Sequence, residues 1–232
     1  MIGRAYGSYD AGVKGNKQLA HAFFLQAAEA GHPAAMTSYA YICRRLNENQ
    51  DTPEVIEWFK KGAEAGNTDA MRSLARRYRD GETLETSPDR AKFWLKTAYD
   101  RGDKGCAYYL GKLYEFEFKD YDKAFHWYMI YAQLRPHDFP QLAYFLNRDD
   151  TKYYDPAESL RLKVENLEHG SKYRRPIVCG EIADHYLNGR GVAASKEEAL
   201  KWLRKKLELL GPDTKLGSGT ELEIAELERS FL

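Results

Sequence analysis

The sequence has no excess of charge of either sign: 35 Lys and Arg balance 35 Asp and Glu, and the pI is about 7.0. A neutral chain has no overall electrostatic reason to seek nucleic acid or an anionic membrane surface. Long apolar runs are missing as well. No stretch approaches the ~20 consecutive apolar residues of a membrane span. The opening residues, MIGRAYGSYD, lack the basic start and apolar run of a secretion signal. A cytoplasmic location is expected, or a periplasmic or secreted one if the N-terminus has been trimmed.

Cysteine is scarce, and its three copies are an odd number, which argues against a closed disulfide framework. Cys43, Cys106 and Cys179 stand at helix-face positions that hold Tyr, Ala or Met elsewhere, so buried reduced thiols are expected. Catalytic signatures are absent too. None of His21, His32, His126, His137, His169 and His185 falls in an H-E-x-x-H or Cys/His zinc spacing, and there is no G-x-S-x-G or Walker loop. The expectation is no enzyme, no cofactor and no metal.

What the chain does have is repetition. Residues 57–78 read EWFKKGAEAGNTDAMRSLARRY, with apolar residues at i, i+3, i+4 and i+7 on each side of Gly66. That pattern marks two amphipathic helices joined by a turn. Gly31, Gly66 and Gly102 are spaced by 35 and 36 residues, and each follows a similar helix. Eight residues before each glycine stands Phe23, Trp58 or Trp94; eleven before stands Ala20, Val55 or Ala91. Ala124 with Trp127 and Ala199 with Trp202 repeat the pair. The second helix recurs as Leu74-Ala75-x-x-Tyr78, Leu110-Gly111-x-x-Tyr114 and Ile182-Ala183-x-x-Tyr186. A fixed period in this range means stacked units, none of which buries its apolar face alone. Aromatics at one register in every copy are expected to pack between helices.

Capping residues agree with this reading. Thr52-Pro53 and Ser87-Pro88 place a hydroxyl before a proline at the first helical position, and Ser195 with Glu198 and Thr220 with Glu223 have capping-box spacing. Three regions depart from the pattern. Ile2-Gly3-x-x-Tyr6 matches a second helix, so the chain opens inside a hairpin, as though trimmed or begun with a short cap. Residues 136–155 contain Pro136 and Pro140 and an exposed-looking loop, NRDDTKYYD, and read as a degenerate copy, with a helix resuming at 156–168. Residues 211–219 carry three glycines and read as a flexible connector to a helix over 221–232. That helix would cover the open end of the stack, with a homodimer contact as its rival role and a monomer expected.

The 35–36-residue period, the Ala-Glu-Ala-Gly turn and glycine-rich connectors such as Tyr186-Leu-Asn-Gly-Arg-Gly-Val192 together resemble the Sel-one-like repeat (SLR) family, relatives of the tetratricopeptide repeats. The resemblance spans nearly all of residues 2–210 and is weakest over 136–155. It implies an all-α fold, an α/α superhelical solenoid of about five to six helix–turn–helix repeats over residues 1–210. A degenerate copy lies around 136–170, and residues 211–232 supply the linker and capping helix. It also implies a non-catalytic scaffold that binds a protein in a groove lined by second helices, among them bacterial immunity and secretion-associated adaptors. A repeat module cut from a longer signalling or adaptor protein is the alternative. The cysteine pair that staples each hairpin in some members is not present.

If second helices line the groove, the early wall is basic and aromatic: Tyr41, Arg44 and Arg45, then Arg72, Arg76, Arg77 and Arg79, then Tyr108, Tyr109 and Lys112. Further along it turns acidic with Glu181, Asp184 and His185. Tyr and Arg are enriched at binding hot spots, which points to a partner protein presenting an acidic segment. For any single arginine, a solvated helix face explains the charge equally well. Glu181 and His185 stand four apart on one helix face near Asp184, a spacing compatible with a metal but also with a surface hydrogen bond. A metal-dependent enzyme is therefore the remote alternative.

Overall fold

The repeated register becomes a row of helices. The computed structural model describes residues 17–81, 83–135, 140–169, 174–211 and 214–230, and among these it is all helix and turn. Ile2, Gly3, Tyr6 and the connector at 6–13, along with Pro136, His137 and Phe231, lie outside the described residues. Two compact units divide the chain, Met1–Asp120 and Tyr121–Leu232.

In the first unit the helices are α1 (Lys17–Glu29), α2 (Pro33–Leu46), α3 (Pro53–Glu64), α4 (Thr68–Asp80), α5 (Pro88–Asp100) and α6 (Cys106–Phe116), each packed on the next. Their start signals are satisfied as expected: Thr52 Oγ1 accepts from Val55 N–H at 3.3 Å and Ser87 Oγ accepts from Arg90 N–H at 3.4 Å. The turns repeat down to single hydrogen bonds. Gly66 N–H donates to Ala63 and Asn67 N–H to Gly62, both at 2.9 Å. The equivalent pairs at Gly31 and Gly102 span 3.0–3.1 Å. Gly66 has φ +94°, a left-handed conformation that costs an L side chain free energy and glycine little, which is why the glycine marks the period. Junctions between hairpins repeat also: Ser87 N–H donates to the Tyr78 carbonyl at 2.7 Å, and Ser195 N–H to that of Tyr186 at 2.9 Å.

The core follows the repeat with one correction. Val55, Ala91, Ala124 and Ala199 are buried, as their register predicts. The tryptophan register is not fully buried. Phe23 is 37% exposed, and Trp58, Trp94, Trp127 and Trp202 are half-buried. Trp58 packs edge-on against Tyr39 of α2 at 5.2 Å, while Lys61 Nζ sits 4.6 Å above the ring centroid. The deeper position is the next residue: Phe59, Leu95, Tyr128 and Leu203 are all buried. Trp58 lies along the seam with α2, and all four tryptophans are only partly buried.

The second unit comprises α7 (Tyr121–Leu134), α8 (Pro140–Leu146), α9 (Pro156–His169), α10 (Arg175–Asn188), α11 (Lys196–Leu210) and α12 (Lys215–Arg229). Here the degenerate copy is visible as the seven-residue α8. The loop after it, expected to be exposed, is docked on α7. Tyr153 stacks on Phe125 at 4.2 Å and its hydroxyl donates to Asp122 at 3.1 Å. Ser159 of α9 closes the region by donating to the Ala143 carbonyl from a buried position.

The C-terminal segment also differs from expectation. Helix α12 begins at Lys215, inside the presumed linker, and its cap is Thr214, whose Oγ1 accepts from Gly217 N–H at 2.9 Å. Thr220, read as a cap, is instead buried within the helix and bonds the Leu216 carbonyl. Gly217 is required by close approach: a Cβ there would lie 2.0 Å from the Gly211 carbonyl oxygen. Helix α12 packs on α11, with Ile224 buried among Ala183, Ala199, Leu200 and Leu203. The capping role expected of the last helix is thus the observed one.

Candidate functional site

Three successive second helices meet at one pocket in the first unit. On α4, Arg72, Arg76 and Arg79 follow the i, i+4, i+7 spacing of a single helix face. They face Tyr41 and Arg44 of α2 on one side and Tyr109 and Leu113 of α6 on the other, and Ala75, Ala91 and Leu95 form an apolar floor. The pocket encloses about 220 Å³. Four guanidiniums line it, and no carboxylate is among the lining residues.

Its polar walls are held in place from behind. The Tyr41 and Ser73 hydroxyls share a hydrogen bond of 2.5 Å, and the Tyr41 ring meets Phe59 edge-on at 5.0 Å. Arg72 is gripped by Asp69 on its own helix and by Asp103 just before α6. Arg79 pairs with Asp80 at 2.7 Å, and Arg44 Nε lies 2.9 Å from Asp51. Arg76 is exposed and has no ion-pair partner among the described residues.

The remaining predicted residues lie elsewhere. Arg77, expected on the wall, is only 3% exposed and points into the core. Its guanidinium donates to Asp51 at 2.6 Å and to the Ser73 carbonyl at 3.0 Å, and it stacks over the Phe59 ring at 4.2 Å. One turn along a helix from Ser73 it is on the buried side, and Asp51 supplies the countercharge that lets it stay there. Arg45 is exposed outside the pocket. Tyr108 and Lys112 flank it on α6, with Lys112 Nζ 5.8 Å above the Tyr108 ring.

Glu181, Asp184 and His185 belong to the second unit and form no common wall. His185 is fully buried, contrary to expectation. Its Nδ1 hydrogen-bonds the Arg190 carbonyl at 2.9 Å, and its Nε2 faces the Lys163 ammonium at 3.3 Å. Burial pushes its pKa below the ordinary histidine value, with Lys163 adding to the effect. Glu181 pairs with Lys163 at 3.2 Å and Asp184 with Arg190 at 3.1 Å. These residues are engaged as local structure, and among the described residues no group of three acidic, His or Cys side chains is placed to hold a metal.

The floor residues Ala91, Leu95 and Leu113 were missed as site residues because they share the register of the buried core. The small side chains at Ala75 and Ala91 are the only hint that space opens there. The three cysteines are free and buried, and burial pushes the Cys106 thiol up to about 12, which leaves it protonated at neutral pH. No described helix is long and apolar enough to cross a membrane.

Comparison with known proteins places the chain among helical repeats. The Sel1 repeat model matches residues 1–32, 33–67, 68–103, 105–128 and 179–205. The gap between the last two matches contains the short α8 and its docked loop. No curated protein matches. Among solved structures, a protective antigen of uropathogenic Escherichia coli displaying an SLR fold is 21% identical with a TM-score of 0.72. The match covers 99% of this chain and 48% of the antigen, so the chain spans about half that protein's length. A Sel1 repeat protein from Oxalobacter formigenes is 19% identical with a TM-score of 0.68, covering 97% and 98% of the two chains. At these identities the likeness is one of fold.

Proposed function

The chain belongs to the Sel1 repeat family, helical scaffolds that generally mediate protein–protein interaction, and on that premise we propose that it holds a partner protein in the basic pocket of its first unit. The observation that carries this reading is convergence. Tyr41, Arg44, Arg72, Arg76, Arg79 and Tyr109, chosen for type and register, surround one apolar-floored pocket with no carboxylate in its lining. Such a pocket fits an acidic part of a partner, and buried tyrosine and arginine anchors are the kind of side chain that dominates interface energetics.

The four arginines, two tyrosines and a serine tied to Tyr41 suit a binding surface, in keeping with a family of typically non-catalytic scaffolds. An immunity or secretion-associated adaptor is the narrower form of the reading, in which the partner is a toxin or an exported protein. The test is affinity capture from the cells that make the protein, with wild type and Arg76→Glu in parallel. Arg76 has no ion-pair partner among the described residues to lose, so the variant keeps its helical circular dichroism. Loss of one major partner is the expected outcome, and capture of every partner by the variant removes the proposal.

A further inference from the structure

The charges around the pocket do not count equally. The arginine cluster comprises Arg44, Arg72, Arg76, Arg77 and Arg79, and the carboxylates paired with it are Asp51, Asp69, Asp80 and Asp103. Five guanidiniums against four carboxylates leave one positive charge over. The pairing is uneven: Asp51 is shared by Arg44 and Arg77, Arg72 holds two aspartates, and Arg76 alone among the lining arginines lacks an ion-pair partner within the described residues. A second carboxylate offered to Arg72 or Arg79 would meet an aspartate already in place, and like charges side by side repel. The pocket's size sets a further limit. Its ~220 Å³ falls below the roughly 300–1,000 Å³ of small-molecule sites, and its floor offers Leu95 and Leu113 as the apolar contact.

Resting on the reading of this pocket as a protein-binding site, we infer that its ligand is a segment carrying one carboxylate beside one apolar side chain, and not an acidic run. The apolar group enters between Tyr41 and Tyr109, and the carboxylate lies on Arg76. A polyacidic tract gains little further here, since Arg72 and Arg79 already hold aspartates of this chain and Arg44 shares Asp51 with Arg77. The recognition is that of an aliphatic or aromatic anchor fixed in register by a single ion pair.

The test is selection of a random dodecapeptide library displayed on phage against the full chain, with counter-selection on the Arg76→Ala protein. Peptides that survive are expected to share one Asp or Glu within two positions of Leu, Ile, Met or Phe, with no excess of acidic residues elsewhere. A synthetic copy should lose about tenfold in affinity when its carboxylate is changed to the amide, and about as much against Arg76→Ala. Arg45→Ala, which removes the same charge from outside the pocket, should change affinity less than about twofold. Enrichment of peptides with three or more consecutive acidic residues, or of peptides with none, overturns the inference while leaving the pocket a binding site. Failure to enrich anything over the counter-selection overturns both.

Discussion

Arg77 and Asp51 form an ion pair of 2.6 Å in which both side chains are more than nine-tenths buried. Asp51 stands in the connector before α3, and it also lies 2.9 Å from Arg44, so one carboxylate serves two guanidiniums. Removing it leaves a buried cation without compensation, which is far costlier than losing a surface pair. Asp51→Ala is expected to destabilise the protein by about 3–5 kcal/mol. Urea unfolding measures this, and a change under about 1 kcal/mol would show the pair to be incidental.

The core register gives a paired prediction. Phe59 is fully buried while Trp94, at the tryptophan position, keeps part of its ring in solvent. Phe59→Ala is expected to cost about 3–5 kcal/mol, and Trp94→Ala about 2 kcal/mol because less area leaves water. If Trp94→Ala proves the costlier of the two in thermal melts, the assignment of the deep position is mistaken.

Two glycines of α12 should respond in opposite senses to the same substitution. A Cβ at Gly217 would overlap the Gly211 carbonyl, whereas one at Gly219 meets nothing within 4 Å. Gly217→Ala is expected to destabilise by about 1–3 kcal/mol through forced backbone movement. Gly219→Ala should stabilise by roughly 0.5–1 kcal/mol, since alanine loses less chain entropy in a helix. Equal shifts in melting temperature would contradict the close approach seen at Gly217.

This pair of glycines shows where sequence reading stops. The hairpins were readable because glycine, alanine and aromatic positions recur every 35–36 residues, and local rules govern turns and caps at Gly66, Thr52 and Ser87. Glycines 217 and 219 break the propensity rule for a helix, and only the close approach of the Gly211 carbonyl, where the chain folds back into the helix, explains the first of them. Arg77 presents the same difficulty. Its inward direction depends on a countercharge 26 residues away, which no helical periodicity reveals. The pocket lay between these cases: its arginines and tyrosines stood out by type, while its floor was indistinguishable from core.

Acid should weaken the second unit through His185. The folded pKa lies below the ordinary value of about 6.5 because burial penalises the imidazolium, and Lys163 facing Nε2 adds repulsion. Asp184 and the Arg190 carbonyl act in the opposite sense, while the Arg190 guanidinium sides with Lys163; Glu181 is drawn off onto Lys163. The unfolded chain therefore binds this proton more readily than the folded one. The contribution is present above about pH 6.5 and is lost as pH falls toward the folded pKa. Melting temperature should drop more between pH 7.5 and 5.5 in wild type than in His185→Gln, and parallel drops would remove His185 as the cause.

The hydrogen bond from Ser87 to the Tyr78 carbonyl has the same form as that from Ser195 to Tyr186. A seam written in one chemistry at several places lets segments be duplicated or deleted as whole units, since each cut end finds the neighbour it already expects. Each hairpin gained or lost shifts stability by its own contribution and that of its seam, while a change at a distance need not disturb the arginine pocket that three of them build.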